Sequence, residues 1–164
     1  MKQDELKFFI EHAIKAPSGH NTQPWKLELM ENGITVHPDF TRALPVVDSD
    51  NHALYISLGC ALENMIIAAH HKGYQCTVQY PTNARSGINI QIRKEEQVNI
   101  QTDDLFDFII TRQVNRSKYS DKEISIEDLE KLNSCFNFDG ISFLLLNSKE
   151  KFKNMNKIKG LSQK

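Results

Sequence analysis

Cysteine is scarce in this 164-residue sequence, and long apolar runs are missing. The cysteines Cys60, Cys76 and Cys135 are odd in number and far apart, so they predict neither a disulfide framework nor a zinc knuckle. No uninterrupted apolar run reaches the roughly 18 residues that a membrane-spanning helix needs. The first residues, MKQDELKFFIEH, place acids where a secretory signal needs apolar side chains. We therefore expect a cytoplasmic protein with reduced thiols and no membrane segment.

An excess of charge of one sign is also missing. Lysine and arginine number 20 and aspartate and glutamate 21, so the net charge is −1 and the chain has no global attraction to nucleic acid. The exception is residues 149–164, which hold six lysines and one glutamate, whereas the other 148 residues hold 14 basic and 20 acidic groups. This basic tail has one aromatic residue, Phe152, and no arginine. We interpret it as a solvated or frayed end and expect no nucleic-acid partner.

The motifs of several catalytic and metal sites are absent as well. The sequence has no G-x-G-x-x-G and no Walker phosphate loop, and no strand precedes Ser57-Leu58-Gly59 to make a nucleophile elbow. The histidines lack acidic companions at ligand spacing, and the adjacent His70 and His71 cannot face one site from a helix. We expect neither a metal site nor a nucleophilic side chain.

The spacing of apolar residues predicts a helix and a hairpin at the start of the chain. Residues 4–15 place their apolar side chains on one helical face, and Pro17 stops the helix. Residues 25–36 then alternate between apolar and polar side chains around a predicted two-residue turn at Asn32-Gly33. This pattern predicts two antiparallel strands.

A longer helix is also predicted. It begins after Asp48–Asp50, which offer N-caps, and ends near Lys72, where the following Gly73 suits a helix end. Apolar residues surround much of its circumference, so we expect it to be buried on most sides. Small residues at its centre, among them Ser57, Gly59 and Cys60, would let another backbone or a flat ligand come close.

The second half of the chain adds strands and shorter helices. The expected elements are strands over residues 76–80 and 88–92, a helix from Thr102 through Ile110, a helix from Ser125 to Cys135 with Asp128 in a capping box, a buried strand after Asp139-Gly140, and a weak helix from Lys149. The strands are joined mostly by hairpins or by one long helix. This order favours an α+β fold with a mainly antiparallel sheet packed with helices.

The loop Ala16–Trp25, with the sequence APSGHNTQPW, joins a helix to a strand, which is a usual place for function. Pro17 and Pro24 restrict its backbone, and Gly19 would allow close approach. The polar side chains that could bind a ligand are Ser18, Asn21, Thr22 and Gln23. Such a set suits a planar heterocycle that offers carbonyls and ring nitrogens. The alternative is a helix stop followed by a polar turn.

A second candidate segment, Arg112–Tyr119, follows an apolar helix. Arg112 and Arg116 are four residues apart and would share one face of a helical end. Two guanidinium groups can hold a phosphate in a bidentate manner, to which Asn115 and Ser117 could add hydrogen bonds. The alternative is a solvated basic helix terminus favoured by the helix dipole.

These segments together resemble the nitroreductase family of flavin enzymes. The resemblance runs through AIKAPSGHNTQPW (13–25), RALPVVDSD (42–50), ISLGCALENMIIAAHHKGY (56–74) and RQVNRSKYSDKEI (112–124). The P-S-x-x-N-x-Q-P-W element is its most specific part. The resemblance implies an FMN-dependent nitroreductase fold, in which FMN lies at the interface of two intertwined modules.

The resemblance also implies roles for individual residues. Arg112 and Arg116, with Asn115 between them, match the segment that grips the FMN phosphate. The implied flavin-facing residues are Lys15, Ser18, Gly19, Asn21 and Gln23. The implied reaction is hydride transfer from NAD(P)H to FMN and then to a nitroaromatic, quinone or similar acceptor. Because the flavin carries that chemistry, no side chain is expected to be catalytic.

The order of the segments resembles the longer, internally duplicated branch of the family. On that interpretation residues 1–100 are a first module, residues 101–148 begin a second, and residues 149–164 are the basic tail. The second loop and long helix are not among the 164 residues, so we expect an incomplete fold and two copies that associate as a homodimer. Val114 also stands where the family often has a Ser or Thr that bonds the phosphate. The alternative is a truncated, non-catalytic relative that dimerises and binds flavin weakly or not at all.

Overall fold

The computed structural model describes residues 3–83, 85–94, 105–118, 120 and 122–135. The chain divides into two units, residues 1–114 and residues 115–164. The predicted cap at Thr102, the predicted strand after Asp139-Gly140 and the predicted helix from Lys149 lie outside the described residues.

The first unit is a four-stranded antiparallel sheet packed with helices. Its elements are α1 (Gln3–Ala13), β1 (Trp25–Met30), β2 (Gly33–Pro38), α2 (His52–His71), β3 (Tyr74–Gln79), β4 (Ile88–Lys94) and α3 (Phe106–Thr111). The strands lie in the order β1-β2-β4-β3, and each neighbouring pair is antiparallel. Helix α2 packs against α1, β2 and β3. The predicted α+β class with a mainly antiparallel sheet is confirmed.

The β1–β2 hairpin turns one residue earlier than the sequence predicted. Met30 pairs with Gly33, so the two turn residues are Glu31 and Asn32 rather than Asn32-Gly33. Gly33 is already a strand residue, and a Cβ there would overlap the backbone carbonyl oxygen of Ile90 on β4. The glycine therefore serves the close approach of two strands, and not the turn.

The core lies between the inner face of the sheet and helices α1 and α2. Its most deeply buried large side chains are Phe9, Ile34, Val36, Leu58, Met65 and Ile90. One long side of α2 is buried, but the opposite side is open, because Ile56 is 55% exposed and Gly59 is also exposed. The prediction that α2 is buried on most sides is therefore wrong for this side, which no described element of the first unit covers.

The predicted capping of α2 is confirmed in part: the N-cap residue is Asn51, which makes no side-chain cap hydrogen bond, and Asp48 caps the first turn from further upstream. The Asp48 carboxylate accepts hydrogen bonds from the backbone N–H groups of Ala53, at 2.9 Å, and Leu54, at 3.0 Å. Gly73 follows the helix with φ +78°, the left-handed conformation that favours glycine at this position. By length and composition alone α2 could cross a membrane, but half of its most apolar window is buried within this protein, as in the core helix of a globular domain.

An aromatic cluster holds α3 against the ends of α1 and α2. The Phe106 ring stacks on the His71 ring, with 3.6 Å between centroids and 10° between planes. The same ring lies 5.0 Å from His12 and 5.9 Å from Phe8. Helix α3 ends at Thr111, so it packs within the first unit. The assignment of residues 101–148 to a second module stays a prediction.

The second unit contains the predicted capped helix, α4 (Ile126–Ser134). The Ser125 hydroxyl accepts a hydrogen bond from the Asp128 N–H at 3.1 Å, and the two side chains lie 2.7 Å apart. This geometry confirms the predicted N-cap and its Asp128 partner. Lys131 and Glu127 add an exposed ion pair one turn apart, at 2.8 Å.

The three thiols are free, as expected. Cys60 and Cys76 are half-buried, and Cys135 is exposed. Burial raises the pKa of the Cys76 thiol to about 11, so that thiol is protonated at neutral pH. Cys76 therefore cannot serve as a thiolate nucleophile there.

We expect the Leu58→Ala change to lower the free energy of unfolding by about 2–5 kcal/mol, because it leaves a cavity where a side chain only 1% exposed had packed. The matched change on the same helix, Ile56→Ala, should cost less than about 1 kcal/mol, because that side chain is 55% exposed. Urea unfolding of both variants at low protein concentration measures the difference. Equal losses would contradict the described burial of α2.

Candidate functional site

The candidate loop begins where α1 ends. After Ala13 the chain closes two more turns, with Ile14 N–H bonded to the Ile10 carbonyl at 3.0 Å and Ala16 N–H to the Ala13 carbonyl at 3.1 Å. Pro17 has no N–H to continue the pattern. Ala16 is buried, whereas Lys15 is exposed at the edge of the loop.

The loop backbone is strained at three residues that are not glycine. His20, Asn21 and Gln23 have φ values of +50°, +57° and +50°, in the left-handed region that ordinary side chains disfavour. Each such residue costs on the order of 1 kcal/mol and persists only when its surroundings fix it. Strain of this kind clusters at ligand-binding sites, so the loop is the strongest functional candidate in the described part of the chain.

Hydrogen bonds within the loop hold this conformation. The Ser18 hydroxyl accepts a hydrogen bond from the Gln23 N–H at 2.9 Å, which spans the strained segment. The Gly19 carbonyl accepts from both the N–H and the hydroxyl of Thr22, each at 3.0 Å. Ser18 thus has a structural role in closing the loop, besides the ligand contact predicted for it.

Three contacts tie the loop to the rest of the first unit. Ser57 on α2 accepts a hydrogen bond from the Gly19 N–H at 3.3 Å. The Arg42 guanidinium donates from Nη1 to the Thr22 carbonyl at 3.0 Å. The Asp39 N–H donates to the Pro24 carbonyl at 2.9 Å. The sequence indicated no role for Arg42 or Asp39, and Ser57 was considered only as a small residue and as a nucleophile position that was ruled out.

Asp39 is the charged centre of this support. Its buried carboxylate accepts hydrogen bonds from the Thr41 hydroxyl at 2.6 Å and the Thr41 N–H at 3.1 Å, and its oxygens lie 3.2 Å from the Lys26 ammonium and 3.8 Å from Arg42 Nε. The Thr41 hydroxyl, and then Lys26, hold the pKa of Asp39 below its ordinary value, although burial opposes them. The ionised form therefore orders the segment that carries Arg42.

The outer side of the loop presents polar groups to solvent. Lys15 and Asn21 are exposed, and Ser18 and Gln23 are half-buried. In the described part of the chain, neither the Asn21 nor the Gln23 carboxamide has a hydrogen-bond partner. These side chains can therefore offer donors and acceptors to a bound heterocycle.

No contact within the described chain requires a glycine at position 19. The close approach predicted for Gly19 would therefore have to be that of a ligand. A Cβ at Gly19 would lie 3.5 Å from Leu44 Cδ1, which is ordinary van der Waals contact. The hollow between the loop, Arg42 and Ser57 has a volume of about 10 Å³, room for about one water molecule. A flat three-ring ligand would have to lie on the outer side of the loop.

The arginine segment does not have the predicted helical geometry. The chain leaves helix α3 at Arg112, which has an extended ψ of 129°, so Arg112 and Arg116 do not share a helical face. Arg112 belongs to the first unit, and Asn115 and Arg116 to the second. All three are exposed, and Asn115 Oδ1 accepts a hydrogen bond from the Ser117 N–H at 2.8 Å. Their phosphate-binding role stays a prediction.

Potential metal ligands do not cluster in the described part of the chain. Among the described residues, no group of three or more His, Cys, Asp or Glu side chains is placed to bind a metal ion.

Two curated proteins of Mycobacterium tuberculosis, from strains CDC 1551 and H37Rv, are similar to this chain, and both bear the name "Putative NAD(P)H nitroreductase". Each is 33% identical to it over 66 residues, or 40% of this chain. The match spans 19% of each relative's length. No family model matches the chain. The local similarity is to proteins named for the same family that the sequence motifs resemble.

Asp39 should make stability depend on pH in the acid range. Because its pKa is lower in the folded chain, its contribution is complete above the unfolded pKa of about 4 and is lost as pH falls through the folded value. We expect Asp39→Asn to be less stable than the native chain at pH 7. The difference in stability between the two proteins should be smaller at pH 3. Thermal unfolding from pH 3 to pH 7 measures this difference. A difference in stability that stays the same at every pH would contradict the role assigned to Asp39.

Proposed function

We propose that this chain is an FMN-dependent oxidoreductase of nitroreductase type, which passes hydride from NAD(P)H through flavin to a nitroaromatic, quinone or similar acceptor. The strained loop between Ser18 and Gln23 is the observation that carries the proposal, since it combines left-handed residues with uncommitted amide groups. The local similarity to two proteins named as NAD(P)H nitroreductases supports the same reaction class.

The loop residues suit the flavin ring. The ring edge of FMN carries carbonyl oxygens and nitrogens, which the Asn21 and Gln23 carboxamides can bind as donors or acceptors. Lys15 would add a positive charge, and Ser18 a hydroxyl donor. FMN would supply the hydride chemistry, whereas these residues orient the ring. Arg112, Asn115 and Arg116 would hold the phosphate.

A second copy of the chain would complete the site. The hollow beside the loop is too small for the ring, so the ring would need another surface on its open side. Apolar side chains are available for association in the first unit: Ile56 on α2 is 55% exposed, and Phe108 and Ile110 on α3 are 61% and 67% exposed. Exposed apolar side chains contribute to a protein interface where they form a contiguous patch. We therefore propose a homodimer.

The geometry of the arginine segment favours one alternative function. Because residues 112–116 do not continue α3, the two guanidinium groups lack the shared helical face that would direct them at one phosphate. A non-catalytic relative, which dimerises but binds flavin weakly or not at all, would have this property. It would form a dimer in sedimentation experiments and oxidise no NAD(P)H with any acceptor.

The visible spectrum of the purified 164-residue chain tests the proposal. After incubation with FMN and removal of free flavin, we expect a yellow protein that oxidises NADH or NADPH when a quinone or nitroaromatic is added. A yellow dimer without turnover would favour the non-catalytic alternative. A colourless protein that takes up no FMN would contradict the FMN-dependent oxidoreductase and would agree with the non-catalytic alternative.

Replacing Arg112 and Arg116 together by alanine should weaken FMN binding by about 2–4 kcal/mol, or roughly 30-fold to 1,000-fold, if both hold the phosphate. Titration of FMN fluorescence measures the dissociation constant. Arg93→Ala, which removes an exposed guanidinium from β4, is the control and should leave FMN binding unchanged. An unchanged constant for the double variant would show that the phosphate lies elsewhere.

A further inference from the structure

Ser57 is a buried polar residue in the largely apolar helix α2. Its side chain, on α2, is only 3% exposed. The hydroxyl donates a hydrogen bond to the Ala53 carbonyl one turn earlier, at 2.7 Å, and accepts one from the Gly19 N–H at 3.3 Å. Ser57 therefore joins the backbone of α2 to the backbone of the candidate loop.

The hydrogen bond from Gly19 to Ser57 lies where the strained segment of the loop begins. Its N–H is bound by Ser57, and its carbonyl accepts both hydrogen bonds from Thr22. The next residue, His20, is the first of the three strained residues, with φ +50°. An anchor at Gly19 thus fixes the peptide unit from which the left-handed segment starts.

We propose that Ser57 is a positioning residue for the flavin loop: its hydroxyl holds the Gly19 peptide against α2 and keeps the loop in its ligand-binding conformation. This role rests on the proposed flavin function. Ser57 acts through Gly19 and lies beneath the loop, whereas the groups offered to the ring lie on the outer side. Its contribution is pre-organisation of the strained backbone, not direct contact with the cofactor.

Removal of the hydroxyl should shift the loop towards relaxed conformations. A strained segment is populated only while its contacts outweigh the strain, and a ligand that needs that segment binds more weakly as its population falls. The loss of one net hydrogen bond corresponds to about a fivefold to tenfold change in an equilibrium constant. FMN affinity should fall by a similar factor.

The test compares Ser57→Ala with a matched control, Thr35→Val. Thr35 on β2 is also buried, at 5% exposure, and its hydroxyl donates to Asn89 Oδ1 at 2.7 Å, outside the loop. Both variants remove one buried hydroxyl. Ser57→Cys, which keeps the shape but accepts hydrogen bonds weakly, replaces Ser57→Ala if the alanine variant does not fold.

Two readouts are measured on the full chain. Without FMN, amide hydrogen exchange at Gly19, followed by NMR, should become about tenfold faster in the Ser57 variant and stay unchanged in Thr35→Val. With FMN, the dissociation constant from flavin fluorescence should rise about fivefold to tenfold in the Ser57 variant alone.

The outcomes separate this role from the flavin function itself. In one outcome the native chain binds FMN, but the Ser57 variant is unchanged in either Gly19 amide exchange or FMN affinity. That result overturns the positioning role and leaves the proposed flavin function intact. An equal loss of FMN affinity in Thr35→Val also overturns it, because the effect would then be general destabilisation. Native chain that binds no FMN overturns the flavin function, and the positioning role with it.

Discussion

The candidate site depends on the attachment of a strained polar loop to the buried side of helix α2. Three left-handed residues, His20, Asn21 and Gln23, follow one another within four positions and would relax in an isolated peptide. They persist because hydrogen bonds fix the segment from both sides, through Ser57 on α2 and through Arg42. Core packing of α2 against α1 and the sheet makes that anchor rigid. The packing of α2 in the apolar core thus helps to hold the polar loop of the candidate site in its conformation.

Much of the fold follows from periodicity and capping in the sequence. The α1 stripe, the alternation in β1 to β4, the Asp48 cap and the Ser125–Asp128 cap each act between residues close in the chain, and each was predicted. The errors have tertiary causes. The turn shifted because Gly33 must let β4 approach, and Ile56 is open because the periodicity of α2 cannot show how many neighbours cover it.

The candidate loop could be identified from the sequence, but the contacts that hold it could not. The loop could be identified from its prolines and polar residues, whereas Ser57 lies 38 residues beyond Gly19 and Arg42 lies 20 beyond Thr22. Such contacts leave no local pattern, although a serine in the apolar part of α2 and the pairing of Asp39 with Arg42 are signals that a sequence search could use. The helical spacing of Arg112 and Arg116 misled, because α3 ends at Thr111.

We propose that FMN binds to the loop between Ser18 and Gln23. The most direct measurement is an NMR titration of the intact, isotope-labelled chain with FMN, in which every backbone amide reports separately. We expect the largest chemical-shift changes to be centred on the amides of Ser18 to Gln23. Chemical-shift changes confined to other surfaces, or no change at saturating FMN, would contradict FMN binding at this loop.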